Sequence, residues 1–197
     1  MKTKILLLIL AVVFICSCKS PEEKKTDDTA LEPVTEMDST EMIKRGEYLV
    51  DLGGCHHCHS PKIMSERGPI PDPDRLLSGH PADEALPPYD AETAKGYMLF
   101  SMGLTSFTGP WGTSFAANLT PDETGIGTWT EKQFFTALRK GKFKGLDGSR
   151  LLLPPMPWED LGKMTDQDIK AVFAYLKSLK PVNNLVPSAI LPQMEME

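Results

Sequence analysis

The chain is short of cysteine, of aromatic residues and of clustered positive charge. Its four cysteines occur in two close pairs, Cys16 with Cys18 and Cys55 with Cys58, which leaves no spare thiols for a disulfide framework. Acidic residues outnumber basic ones, 27 to 21, for a formal net charge of −6. Phosphate recognition needs clustered Lys and Arg, so nucleic acid is not expected as a partner. No internal repeat is visible and no run of alternating strands. The one long apolar run, from Ile5 to Ile15, is too short to span a bilayer comfortably.

That run has the form of an export signal. Lys2 and Lys4 supply the basic start, and the run ends at Ile15-Cys16-Ser17-Cys18. An apolar residue at −3, a small residue at −1 and a cysteine at +1 resemble a bacterial lipoprotein signal. We expect residues 1–17 to be the signal peptide and Cys18 the lipidated residue. Cys16 would be a poorer choice, with Ile15 at −1. An ordinary secretory signal or an uncleaved anchor remains open, and each would also carry the domain across the membrane. Residues 18–40 are charged, free of aromatics and poor in large apolar groups, and are expected to form a disordered tether.

The pentad Cys55-His56-His57-Cys58-His59 carries the chemistry. C-x-x-C-H is the attachment signature of c-type haem. Two thiols three positions apart on one helical turn reach the two vinyl groups of a single porphyrin. The histidine after the second cysteine is then held beneath the iron as its proximal ligand. His56 and His57 only complete the turn. A zinc site would need a second ligand pair, and the chain beyond the pentad offers only His80. A thioredoxin-like pair would need a β-α-β setting, which the pattern lacks. Covalent haem attachment takes place outside the bacterial inner membrane, so motif and export signal support each other. One motif predicts one covalent haem c.

Residues 41–190 have the size of a single domain, followed by a tail at 191–197. Met42, Ile43, Gly46, Leu49 and Val50 form one stripe of a helix over 41–53. Gly46 inside it predicts the close approach of another helix, at 165–179. There Thr165 is the expected cap, Asp166 and Asp168 lie in the first turn, and Ile169, Val172, Phe173, Leu176 and Leu179 form the buried face. A third helix, 131–140, has Thr130 and Gln133 in capping-box positions, Phe134, Phe135 and Leu138 inward, and Gly141 at its end. A fourth is expected over 91–102. Residues 61–90 and 104–129, rich in Pro, Gly and Ser, are expected as ordered loops wrapped around the cofactor.

A six-coordinate carrier needs a distal ligand, His or Met. Of ten methionines, Met156 stands apart. It lies in Leu153-Pro154-Pro155-Met156-Pro157-Trp158, where three prolines stiffen the loop and hold one side chain outward at low entropic cost. Met156 is the expected axial ligand and His80 the alternative.

Together these features resemble a c-type cytochrome domain of the family that includes the cytochrome subunits of membrane-bound alcohol and sugar-acid dehydrogenases. The residues carrying the resemblance are Cys55 to His59, Ala117-Asn118-Leu119-Thr120-Pro121-Asp122, and Thr124-Gly125-Ile126-Gly127-Thr128-Trp129. Next come Phe135, Ala137, Leu138, Arg139 and Gly141, then Pro155-Met156-Pro157-Trp158. The last are Asp168-Ile169 and the run from Ala174 to Pro181. The resemblance implies an all-α cytochrome c fold, about four helices with long Pro/Gly-rich loops around one haem. It also implies His59 and Met156 as axial ligands and a role in respiratory electron transfer. It places the Asn118 loop and Trp129 near the haem edge, where Asn118 would cap a turn or bond a propionate. Arg139 would pair with a propionate or end its helix in solvent. Trp111 and Trp158 are expected to pack on the porphyrin, and Asp122 and Glu123 to form an ordinary turn rather than a calcium site.

The expected function is single-electron transfer, without catalytic residues of the chain's own, by a lipid-anchored domain of the cell envelope. It would face the periplasm or the outer-membrane surface. Its partners would be redox proteins: a dehydrogenase, an oxidase or another cytochrome. One alternative is a haem enzyme or gas sensor with an open sixth site. Another is a docking subunit of a larger dehydrogenase complex.

Overall fold

The computed structural model describes residues 37–192. The expected signal peptide 1–17, the expected lipidation site Cys18, most of the expected tether and residues 193–197 of the tail lie outside the described residues.

Helix α1, Ser39–Leu52, begins two residues ahead of expectation, inside the segment assigned to the tether. The cause is Asp38, whose carboxylate accepts hydrogen bonds from the backbone N–H groups of Thr40 and Glu41. Helix α6, Asp166–Ser178, is capped by Thr165, which accepts from Asp168 N. The two helices cross where Gly46 meets α6: a Cβ at Gly46 would fall on the Ala171 carbonyl and 2.7 Å from Tyr175 Cβ. Helix α4, Glu131–Lys140, has the full capping box of Thr130 and Gln133 and stops at Gly141, left-handed at φ 61°. These helices enclose the core of Val50, Leu77, Ile126, Phe134, Leu138, Ile169, Val172 and Leu176. Phe135, Phe173 and Leu179, expected in the buried stripes, pack against its margin.

The expectation of an all-α cytochrome fold is overturned. The molecule is mixed α/β, with two antiparallel sheets among the described residues. After the short helix α2, Cys55–His59, strands β1, Lys62–Ser65, and β2, Gly68–Pro71, form a hairpin. The helix expected over 91–102 is cut to α3, Ala91–Gly96. Gly96 ends it, and Leu99–Phe100 becomes β3, because that apolar pair finds a ladder partner in β4, Ser106–Gly109. Strand β5, Gly112–Phe115, completes the sheet in the order β3-β4-β5. Segments assigned to loops thus hold four of the five strands.

The physical reason is turn chemistry. Ser106-Phe107-Thr108-Gly109 and Gly112-Thr113-Ser114-Phe115 flank Pro110-Trp111, and Gly112 takes φ 93°, a backbone shape that suits glycine. The strands are short and rich in Ser and Thr, so they escape a search for apolar alternation. The other edge of β5 is covered by the chain's last described segment. Thr113 and Ile190 exchange both backbone hydrogen bonds, at 2.7 and 2.9 Å. Helix α5, Trp158–Leu161, follows the Met156 loop.

Candidate functional site

Helix α2 starts at Gly54, left-handed at φ 65°, and its C-terminal end is closed by one side chain. The Lys62 ammonium donates to the carbonyls of His56, at 3.3 Å, of His57, at 2.9 Å, and of Ser60. These are carbonyls that a helix end leaves without partners. Ser60, fully buried, accepts the Leu77 N–H at 2.9 Å and lies 3.1 Å from His56 Nδ1. The haem motif is therefore pinned to the chain that follows it.

Cys55 and Cys58 are partly buried free thiols on this helix. Desolvation pushes the Cys55 thiol up to about 11 and raises Cys58 as well. Burial thus keeps both thiols protonated at ordinary pH. Among the described residues no group of three or more His, Cys, Asp or Glu side chains is placed to hold a metal ion.

His59 is buried, and its Nδ1 lies 2.8 Å from the carbonyl oxygen of Ala117. A carbonyl only accepts, so the proton sits on Nδ1 and the lone pair is left on Nε2. Desolvation lowers its pKa, which keeps the ring neutral as a ligand must be. Two loop segments, around residues 77–80 and 116–119, hold this arrangement: Gly79 N donates to His59 O, His80 N to Ala116 O, and Leu119 N to Leu77 O.

Met156 lies on the loop that precedes α5. It packs against the core cluster, and so do Cys55, Leu119 and Trp129. An open trough of about 350 Å³ runs beside the Met156 loop, between Met98 and Trp158. Paired thiols at C-x-x-C spacing and a neutral imidazole with one nitrogen engaged make a donor set that fits c-type haem, and a thioether is available on the Met156 loop.

The other expected residues make contacts within the protein. Asn118, 3% exposed, spends its amide on Thr124 Oγ1, Val182 O and Asn184 O, and its oxygen on Thr120. It stitches the segment after α6 to the loop that bears Ala117. Arg139 donates to Gly162 O and to Asp166 at 2.6 Å, tying α4 to the start of α6. His80 is fully buried against Phe115, with Nδ1 2.9 Å from Thr105 Oγ1. Trp111 folds over Gly109, and Trp158 over Gly141. Asp122 closes an Asx turn on Thr124, as expected of that loop. Residue-by-residue reading missed Ser60 and Lys62, although both directly follow the pentad, and it missed the Ala117 carbonyl, a backbone group that sequence does not display.

Proteins similar in sequence to this chain include three named cytochrome subunits. It is 33% identical over 143 residues to the cytochrome c subunit of the quinone alcohol dehydrogenase of Gluconobacter oxydans, a match covering 72% of this chain and 22% of that one. It is 33% identical over 135 residues to the gluconate 2-dehydrogenase cytochrome c subunit of Pantoea cypripedii, covering 68% and 22%. It is 38% identical over 95 residues to the fructose dehydrogenase cytochrome subunit of Gluconobacter japonicus, covering 47% and 19%. The chain is a c-type cytochrome similar to these subunits. No family model matches the cytochrome. It spans about a fifth of the length of these relatives.

Proposed function

We propose that the chain is a single-haem electron carrier with His59 and Met156 as axial ligands, held at a membrane through a lipid on Cys18. The observation that carries the reading is the engagement of His59 Nδ1 by Ala117 O, at the end of a helix whose two thiols lie at haem spacing. Bound haem supplies a one-electron Fe(III)/Fe(II) couple. Cys55 and Cys58 anchor the group covalently. His59 presents Nε2 to the metal. Met156 brings a soft thioether that favours the reduced state, and the apolar cluster keeps water away and disfavours extra charge. Asn118 and Arg139 act at a distance, by fixing the loops around the group, while Trp129 packs at its margin.

The relatives are named as cytochrome subunits of alcohol, gluconate and fructose dehydrogenases, which supports a dehydrogenase as electron donor. It also favours a docking role in such a complex as a second reading. Among the described residues no helix is long and apolar enough to cross a membrane. The proposed anchor is the lipid on Cys18, with the domain in the cell envelope.

Protein matured in a haem-attaching host tests this. Haem should survive denaturation at one per chain, and a redox titration should fit one electron. Haem lost on denaturation, or a second haem, would contradict the reading.

A further inference from the structure

We propose that Ser114 is a positioning residue for Met156, and that the three-stranded sheet is the backstop of the methionine loop. The inference rests on the reading of Met156 as distal ligand.

The loop is poor in tethers of its own. Pro154, Pro155 and Pro157 have no N–H to donate. Met156 N donates only to Leu153 O, within the loop, at 3.3 Å. Trp158 N, at the start of α5, donates to Met156 O at 2.9 Å, a bond within the same local turn. Among the described residues, the hydrogen bond that reaches residues 153–156 from a distant part of the chain comes from Ser114, whose hydroxyl donates to Pro154 O at 2.6 Å. Its other acceptor, Phe107 O, is at 3.4 Å and belongs to the strand alongside. A proline stretch fixes the loop's shape but not its position; its ends are held by Leu152 N on Gly141 O and Trp158 N on Met156 O, and its middle is tied to the sheet by this contact.

Ser114 is well placed to set it. The side chain is buried, at 7% exposure, and stands opposite Phe107 in the β4–β5 ladder. The neighbouring Thr113 is paired on its other side to Ile190. A hydroxyl fixed between two paired edges loses little freedom in making its bond. Thioether ligation to haem iron is weak, so its occupancy depends on how firmly the protein holds the loop.

The test uses haem-loaded protein with Ser114→Ala, Ser114→Thr and Met156→Ala. Two signals are read: the rate of CO binding to the reduced protein, and the temperature at which the thioether-to-ferric charge-transfer band disappears, against that of global unfolding. Ser114→Ala should bind CO about three- to tenfold faster, the factor of one hydrogen bond. It should lose the band well below its unfolding temperature, and Ser114→Thr should restore both. Should the Ala variant not fold, Ser114→Thr and Ser114→Val, alike in shape and differing in the hydroxyl, give the same comparison. Unchanged CO binding in Ser114→Ala, or band loss that only tracks unfolding, overturns the inference while an open site in Met156→Ala keeps the ligand reading. Wild-type ligation in Met156→Ala overturns both.

Discussion

Gly46 of α1 lies directly against the backbone carbonyl of Ala171 in α6, with no room for a single added methyl. The contact lets the helix leading into the haem motif pack against the last helix of the domain. Val50 and Ile169, beside it, are both core residues.

Gly46→Ala should therefore destabilise the protein, although alanine is the better helix former by about 1 kcal/mol. Overpacking a backbone contact costs about 1–3 kcal/mol, and the local propensity gain offsets only part of it. Denaturant unfolding of the variant should give a lower midpoint. An unchanged or higher midpoint would show that the helices separate freely.

Met156→Ala should keep haem attached, because Cys55 and Cys58 are untouched. It should lower the midpoint potential and open a coordination site to CO. Potentiometry and CO difference spectra check both, and unchanged ligation would remove Met156 as the ligand.

Asn118→Ala should release the segment after α6. Its amide bonds Val182 O and Asn184 O, and losing a buried, fully engaged amide costs about 2–3 kcal/mol. Hydrogen exchange over residues 182–190 should quicken before that of α4. Uniform quickening across the domain would count against a local strap.

Asp168 should contribute a pH-dependent share of stability. The Arg45 guanidinium, 2.9 Å away, holds this carboxyl below the usual range, and Thr165 adds to the effect. A lowered carboxyl pKa stabilises fully above about pH 4 and is lost as pH falls through the folded value. Asp168→Asn should be less stable than wild type at pH 7 and converge with it in acid. A constant gap across that range would assign the effect to packing.

The helical half of the molecule was legible because its signals are local. Thr130 with Gln133, Thr165, and Gly46 within an apolar stripe each specify a cap or a contact that the structure contains. The sheets were not legible, because Ser106–Gly109 and Gly112–Phe115 carry hydroxyls where alternation would show apolar residues, and their pairing depends on a two-residue turn and on Ile190, far along the chain. The pentad announced the thiols and His59. What orients them, a carbonyl at Ala117 and a lysine that closes the helix, became visible only in three dimensions.

The most direct measurement is the visible spectrum of the haem-loaded protein, oxidised, reduced, and reduced under CO. The account predicts a sharp low-spin reduced spectrum that CO does not promptly move, with a thioether-to-ferric charge-transfer band in the oxidised form. A high-spin spectrum, or prompt conversion by CO, would contradict it and point to an open iron site that binds a substrate or a gas.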